Sequence, residues 1–439
     1  MLEKFGVIRF MSTKRIGRVS LVLIILIFIL ALFLRVLAFV DFKDNMNIKY
    51  DPRNYWLMSH QIVDQGVYGY YYYDDDGNTT GGQPGESNAR VMPGYPVFLA
   101  IVYKILGDKY LQITVVRLLQ IMASSLSSVL AFYFIRKVFK KDSIALLTAL
   151  FIAIYPTYIF TCINLLTETL ALFTFLLYLC LLVKAIETGK TGINILTGIV
   201  FGSHVLIRPA LLPLFILPFI FCLITNLINK GSSQNRLGLR SVSRLFMLQF
   251  IGVVAIMLPW WIRNIVTLGS FILTAEASGN PLLGGTYPYF IDYFNDVPDS
   301  IRGNNEMQME WGIRRIIEGF KTEPWLYFKW YTIGKTQHIF GQPYLLKMHA
   351  STQTIHLIIH RIILVLGVPG VIIHSIRSLK GFWFYLYGLA ILALQLLFVP
   401  DPRFAFMMLF FLMVAASHLA VFIFEAITGK NSRKVELKP

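Results

Sequence analysis

The sequence predicts an all-α polytopic membrane protein with about ten transmembrane helices and two large outer loops that carry interfacial helices. Hydrophobic residues make up 56% of the 439 residues, charged residues only 15%, and the mean hydropathy is +0.62. A soluble domain is usually about 45–50% apolar and about 25% charged. Because the apolar residues fall in long uninterrupted segments, the pattern is typical of helices surrounded by lipid.

The net charge of +16 is consistent with this fold class. In a soluble protein it would favour nucleic-acid binding, but here the basic residues lie in short segments between apolar spans, as the positive-inside rule describes for cytoplasmic loops. We therefore expect no nucleic-acid partner. The cysteines lack metal-ligand and redox spacing, so the pattern favours neither a disulfide nor a zinc thiolate centre. The three cysteines are Cys162, Cys180 and Cys222.

Ten spans place every basic cluster on one side of the membrane and both long polar loops on the other. The first apolar segment is too long for a signal peptide, so we expect it to be retained. Arg35, near its outer end, is expected to reach the membrane interface. The predicted spans are residues 19–40, 112–135, 143–161, 164–184, 192–207, 209–228, 245–266, 353–374, 382–399 and 404–425.

Each outer loop contains one segment that we predict to be an interfacial helix. In the first loop this helix covers residues 54–65 and ends at Gly66. In the second loop, residues 325–340 are too interrupted by lysine, glycine and histidine for a span. The side chains of the first helix that we expect to face lipid are Tyr55, Trp56, Ile62 and Val63.

Ionisable residues gather at the predicted outer face. For a single arginine, an interfacial position or an ion pair between helices is the simpler explanation, but charges at membrane depth tend to face a cavity or a partner. Several on one side therefore favour a shared site for an anionic lipid, since arginine binds phosphate bidentately. The residues are Asp51, Arg53, Arg90, Glu168, Arg208, Arg263, Lys335, His338 and Arg403.

Metal-binding patterns in the sequence are weak. Asp74, Asp75 and Asp76 offer oxygen ligands for a divalent cation, although a solvated acidic loop is the simpler interpretation. His356 and His360 have the spacing of one helix face, which is a weak zinc signal. We assign no metal ligand and no certain cofactor, and a divalent cation stays open as an alternative.

Several short motifs follow one another along residues 40–425. They are Asp51-x-x-x-Tyr55, Arg90-x-Met92-Pro93-Gly94-Tyr95-Pro96, Leu166-Thr167-Glu168, Arg208-Pro209, Pro259-Trp260-Trp261-Ile262-Arg263-Asn264 and Asp401-Pro402-Arg403-Phe404. Their order resembles glycosyltransferase family 39, the C-type membrane glycosyltransferases. That family includes protein mannosyltransferases and the aminoarabinose transferases that modify lipid A.

The resemblance implies a donor in which polyprenyl phosphate carries a sugar. The sugar would be transferred on the outer face, with inversion, to a lipid, glycan or protein acceptor. Asp51 matches the family's catalytic base, and Glu168 matches a recurrent glutamate near the pocket. Candidates for binding the lipid phosphate are Arg53, Arg90, Arg208, Arg263, Lys335 and Arg403, and Tyr55 and Tyr95 are supporting residues.

The sequence also departs from the family pattern. Many members carry two adjacent acidic residues at this position, whereas here Asp51 is followed by Pro52. This leaves open whether Glu168 supplies the second acid and whether a metal is used. A transporter or flippase of lipid-linked sugars is the alternative, but it predicts paired repeats and charges at mid-membrane, and neither is evident in the sequence. A structural membrane subunit would leave the one-sided charges unexplained.

The resulting organisation has five parts in a plasma-membrane protein with both termini in the cytoplasm. They are a cytoplasmic N-terminus (1–18), a transmembrane catalytic module (19–266) with the first outer loop (41–110), a second outer loop (267–350), C-terminal transmembrane helices (351–425) and a cytoplasmic tail (426–439).

Overall fold

The computed structural model describes residues 16–42, 50–73, 79–228, 238–344 and 350–429, and these are predominantly helical. The α-helices are α1 (Arg18–Phe42), α2 (Asp51–Gln65), α3 (Gly94–Leu106), α4 (Lys109–Phe139), α5 (Asp142–Ile154), α6 (Pro156–Thr161), α7 (Glu168–Thr188), α8 (Thr191–Ile207), α9 (Leu217–Ile228), α10 (Leu239–Leu268), α11 (Gly279–Gly284), α12 (Asn305–Thr322), α13 (Pro324–Lys329), α14 (Lys335–Phe340), α15 (Ala350–Arg377), α16 (Leu379–Gln395) and α17 (Ala405–Ile427).

Shorter elements complete the described chain. The strands β1 (Tyr72–Tyr73) and β2 (Thr79–Thr80) form one antiparallel ribbon. The 3-10 segments are Pro209–Ile216, Pro288–Phe290 and Pro402–Phe404, and a π-helical turn covers Trp330–Gly334.

The prediction of an all-α membrane protein is confirmed, and each of the ten predicted spans overlaps a helical segment; their number stays a prediction. Six helices are long and apolar enough to cross a membrane, counting only the described residues. They are α1, α4, α7, α10, α15 and α17. The other predicted spans are shorter apolar helices, partly because Pro156 ends α5 and prolines 209 and 213 set a 3-10 segment before α9.

The expectation that Arg35 extends to the membrane interface is wrong. Its side chain is fully buried, and it donates to the carbonyl oxygens of Ile152 and Ala153 at 3.1 and 3.0 Å and to the Ser124 hydroxyl at 2.7 Å. Pro156 has no N–H, so it cannot donate to the Ile152 carbonyl four residues earlier. Arg35 therefore takes the place of backbone donors at the break between α5 and α6.

Helices α8 and α10 cross with their backbones almost in contact. A methyl group at Gly198 would overlap the backbone of Gln249, and one at Gly252 would overlap the backbone of α8 at Ile195. Glycines at the contact between two transmembrane helices let the helices approach closely. Arg208 directly follows the end of α8, and Arg263 lies in the last turns of α10.

Helix α2 packs against α3 and α4 through buried polar groups. Gln112 of α4 donates to the Ser59 hydroxyl at 3.0 Å and to the Leu99 carbonyl at 2.9 Å, and its oxygen contacts His60 at 2.9 Å. Gly66 ends the helix in the left-handed conformation (φ 68°), as predicted.

The expectation that Tyr55 and Trp56 face lipid is wrong. Tyr55 meets the Tyr95 ring edge-on at 5.2 Å, and Trp56 packs against His60 at 4.2 Å. Both are partly buried against α3, because the aromatic side of α2 fits the apolar start of that helix. The second predicted interfacial segment, 325–340, is helical throughout, as α13, the π turn and α14.

Candidate active site

Four charged residues from distant parts of the chain meet in one cluster, Asp51–Glu168–Arg208–Arg403. Arg403 donates through Nη1 to Asp51 Oδ2 at 2.5 Å and through Nε and Nη2 to the Glu168 carboxylate. Arg208 Nη1 donates to Glu168 Oε1 at 2.7 Å. Two carboxylates and two guanidinium groups thus share a single hydrogen-bonded network.

Each member of the cluster lies where a helical element begins or ends. Asp51 is the first residue of α2 and is followed by Pro52, and Glu168 is the first residue of α7. Carboxylates are stabilised at helix N-termini by the helix dipole. Arg208 follows the end of α8 directly, and the Asp401 carboxylate accepts from the Arg403 backbone N–H at 2.7 Å, which sets the turn that carries Arg403.

The two carboxylates have different environments. The Glu168 side chain is 0% exposed and is held by two arginines, whereas the Asp51 side chain is 38% exposed and contacts one. A buried carboxylate in two charge-assisted pairs is committed to holding its partners in place. Asp51 is the carboxylate of the cluster that a reactant can approach.

Tyrosines surround the open side of Asp51. The Tyr70 hydroxyl accepts from Asn54 Nδ2 at 2.9 Å, and burial together with the negative charge of Asp51 raises the pKa of Tyr70 to about 12. Burial and the same charge also raise the pKa of Tyr55 above its ordinary value, and burial raises that of Tyr344. These hydroxyls stay protonated at neutral pH and can donate hydrogen bonds to a sugar or a phosphate.

A buried glutamine fixes the segment that leads into Glu168. Gln120 of α4 accepts from the Tyr95 hydroxyl at 2.7 Å and donates to the carbonyls of Cys162 and Asn164 at 2.9 and 2.6 Å. A small cavity of about 20 Å³ lies on the other side of the cluster, next to Arg208 and Arg403 and bounded by Gln395 and Phe404.

The family model described as "Dolichyl-phosphate-mannose-protein mannosyltransferase" matches residues 90–263, which is less than half of the chain. Over these residues the chain is similar to the membrane glycosyltransferases of family 39. The match includes Glu168 and Arg208, and the structure joins these to Asp51 and Arg403, which lie outside the matched region. No curated protein matches the chain. Members of that family use a lipid-linked sugar donor and an acceptor in a membrane.

Two other predicted phosphate ligands bind the protein's own backbone. Arg263 donates to the carbonyls of Asn88 and Tyr68 at 3.0 and 2.6 Å, and its guanidinium lies over the Tyr68 ring. Arg90 donates to the Gly303 carbonyl at 3.4 Å. Both residues therefore tie the first outer loop to neighbouring segments.

The remaining predicted residues lie in aromatic surroundings. The exposed Arg53 stacks on Tyr73 at 5.1 Å. Lys335 is fully buried: its Nζ donates to the Leu396 carbonyl at 2.7 Å and lies 3.6 Å from the centre of the Tyr331 ring. His338 packs against Phe290 and Trp330.

The possible metal ligands are engaged or lie outside the described residues. His356 is 2.8 Å from the Thr157 hydroxyl, and His360 is 2.8 Å from the Tyr155 hydroxyl and 2.7 Å from the Phe340 carbonyl. Residues 74–76 are not among the described ranges. Within those ranges no three His, Cys, Asp or Glu side chains form a group that could hold a metal ion.

Sequence reasoning missed Asn54, Tyr70, Gln120 and Tyr344. Gln120 carries a usable signal, because a glutamine inside an apolar span needs a buried partner. The tyrosines carry none, since they occur among many aromatic residues in polar segments and only the fold brings them to Asp51.

Proposed function

We propose that the protein transfers a sugar from a polyprenyl-phosphate donor to an acceptor on the outer face of the membrane, with inversion and with Asp51 as general base. The observation that carries the proposal is the unequal pairing of the two carboxylates. Glu168 is buried and holds both arginines, while Asp51 is partly open and shares only Arg403. A base must be accessible to its substrate, whereas a residue that orients cations need not be.

The different roles of Asp51 and Glu168 define the reaction that we propose. The acceptor hydroxyl or amine attacks the anomeric carbon, the bond from that carbon to the phosphate oxygen breaks, and the acceptor proton passes to Asp51. Polyprenyl phosphate leaves with one additional negative charge. Because attack comes from the face opposite the phosphate, the configuration at the anomeric carbon inverts.

Proton transfer and charge stabilisation are coupled in this arrangement. The resting cluster holds two carboxylates and two guanidinium groups and is therefore neutral overall. When Asp51 takes the proton, the cluster gains one positive charge as the leaving phosphate gains one negative charge. Arg403, released from Asp51, and Arg208 are then able to bind the phosphate, which is stabilisation concentrated in the transition state.

The phosphate ligands that we propose are therefore Arg208 and Arg403. We also propose that the protonated hydroxyls of Tyr55, Tyr70 and Tyr344 bind the sugar or the phosphate. Arg90 and Arg263 contribute indirectly, since their contacts hold the first outer loop.

The test is to incubate the purified protein in liposomes with a radiolabelled polyprenyl-phosphate sugar and a membrane extract that supplies the acceptor. Appearance of label on an acceptor supports the proposal. Movement of labelled donor to the opposite leaflet without transfer contradicts it and favours a flippase. Arg208→Lys serves as an internal check, because it retains the charge but loses the planar guanidinium and is expected to slow transfer by about 10- to 100-fold.

A further inference from the structure

A second cavity lies at the other end of the helix bundle from the Asp51–Glu168–Arg208–Arg403 cluster. It has a volume of about 300 Å³ and lies between the last turns of α4, α15 and α17 and the first turns of α5 and α16. Helix α17 starts two residues after Arg403 and reaches the cavity at His418 and Phe422. At 1.5 Å per residue this is roughly 20–25 Å along the helix, so the cavity is separate from the candidate active site.

Basic side chains line this cavity, and the described residues that line it include no carboxylate. Lys141 is paired with Glu425 just outside it, at 2.7 Å. Lys380 donates to the Val138 carbonyl at 3.5 Å. The four cations are Lys140, Lys141, Arg377 and Lys380.

Most of the remaining cavity wall is apolar or aromatic, with Ser378, His374 and His418 as its other polar residues. Phe139, Ile144 and Leu419 contribute to it, and the Arg377 guanidinium lies 4.4 Å from the centre of the Phe422 ring. Cations directly beside an apolar wall match a ligand with a charged head and a hydrocarbon tail. Free phosphate would leave the wall uncovered.

One residue of the cavity wall, His418, has a buried polar atom with no partner. The rings of His374 and His418 stack at a centroid distance of 3.6 Å, and the buried Nε2 of His418 makes no hydrogen bond with any described residue. Most buried polar atoms in proteins have a hydrogen-bond partner. The stacked pair His374 and His418 therefore forms a polar part of the cavity wall.

We propose that this cavity binds an anionic phospholipid. Its phosphate contacts Arg377 and Lys380, with Lys140 nearby, and an acyl chain lies along Phe422 and Leu419. Basic pockets between transmembrane helices are suited to such headgroups, with about 1 kcal/mol of attraction per lysine or arginine near an anionic surface. The proposal is independent of the glycosyl transfer proposed above.

Native mass spectrometry of the purified full-length protein tests this site, with dioleoyl phosphatidylglycerol as the probe and dioleoyl phosphatidylcholine as the neutral comparison. The double variant Arg377→Ala/Lys380→Ala removes two cations and is expected to weaken phosphatidylglycerol binding by about 10- to 30-fold. Arg240→Ala/Arg244→Ala is the matched control, because it removes two cations at the start of α10, at the same end of the bundle. This control should change binding less than twofold.

A third variant separates cavity shape from charge. Leu419→Trp fills the cavity without altering its charge and is also expected to weaken phosphatidylglycerol binding. Melting of every variant in phosphatidylcholine shows whether it is folded. If Leu419→Trp is not folded, Ile373→Trp at the same wall replaces it.

Three results would overturn the proposal. Equal loss in the two double variants would show a general effect of surface charge. Equal affinity for phosphatidylglycerol and phosphatidylcholine would remove the role of the anionic headgroup. Displacement of the lipid by an equal concentration of soluble glycerol phosphate would show a site for free phosphate.

Discussion

At the scale of single residues, the sequence did not predict the surroundings of two buried cations, Arg35 and Lys335. In the sequence, Arg35 is the one basic residue of an apolar span, whereas Lys335 lies in a segment that Lys329 and His338 also interrupt. In the fold, Arg35 satisfies backbone carbonyls at a helix break, while Lys335 lies among aromatic rings with one carbonyl as its acceptor. Neither environment could be predicted from composition, because both depend on helices distant in the sequence.

Replacement of Arg35 by methionine is expected to destabilise the protein. Arg35→Met leaves the carbonyls of Ile152 and Ala153 buried without their donor, at a cost of about 2–5 kcal/mol for the two groups together. Thermal unfolding in detergent, followed with a thiol-reactive dye, measures the loss. Arg18→Met, at the exposed start of the same helix, is the control and should leave the melting temperature unchanged. Equal melting of the two variants would remove the proposed role of Arg35.

Lys335 predicts a pH dependence of stability. Burial lowers its pKa to about 6 from the usual 10.5. Between these values the unfolded chain binds a proton that the folded protein does not, so the free energy of unfolding rises with pH across this window. Lys335→Met removes this pH-dependent contribution to the free energy of unfolding. The variant is expected to melt above the wild type at pH 7, with the difference shrinking towards pH 10.

The measurement is the melting temperature of both proteins from pH 6 to 10. Arg53→Met controls for a general loss of positive charge, since Arg53 is exposed. A difference between wild type and Lys335→Met that stays constant over this range would show that Lys335 remains charged in the fold.

At the scale of elements, the sequence predicted helices well and their partners poorly. The length of the apolar segments predicted the positions of α1, α4, α7, α10, α15 and α17. Gly66 correctly predicted the end of α2. The docking of α2 was missed, because the buried contacts of Gln112 with Ser59 and Leu99 join residues whose proximity no local pattern encodes. For the same reason Tyr55 was assigned to lipid instead of to Tyr95.

The crossing of α8 and α10 makes an unusual prediction for alanine. In an exposed helix, Gly→Ala stabilises by about 1 kcal/mol. Gly252→Ala is expected to do the opposite, by about 1–3 kcal/mol, because the methyl group meets the α8 backbone and the helices must separate. Gly192→Ala, where an added methyl group meets open space, is the matched control. An increase in melting temperature for both variants would contradict this packing.

At the scale of the whole molecule, the sequence predicted one face for the site residues but not which of them are in contact. Asp51, Glu168, Arg208 and Arg403 were all expected on one face, and the fold brings these four together. Arg90 and Arg263, expected with them, instead bind backbone carbonyls in the outer loops. The face on which a residue lies follows from where the predicted spans begin and end. Which side chains touch depends on how the helices pack.

The two ends of the molecule should face opposite sides of the membrane. In a variant whose native cysteines are replaced by alanine, Tyr73→Cys lies near the candidate active site and Lys140→Cys lies at the distant cavity. A membrane-impermeant maleimide added to intact cells is expected to label Tyr73→Cys, and Lys140→Cys only after permeabilisation. The reverse pattern would place the active site in the cytoplasm and overturn the proposed orientation.

A single-turnover transfer assay with Asp51→Asn tests whether Asp51 removes the acceptor proton. The variant retains the size and position of the side chain but not its basicity, so the rate is expected to fall by about 10²- to 10⁴-fold while donor binding persists. Asp64→Asn, on the exposed side of the same helix, should transfer at the normal rate. Transfer by folded Asp51→Asn at the rate of Asp64→Asn would contradict the account.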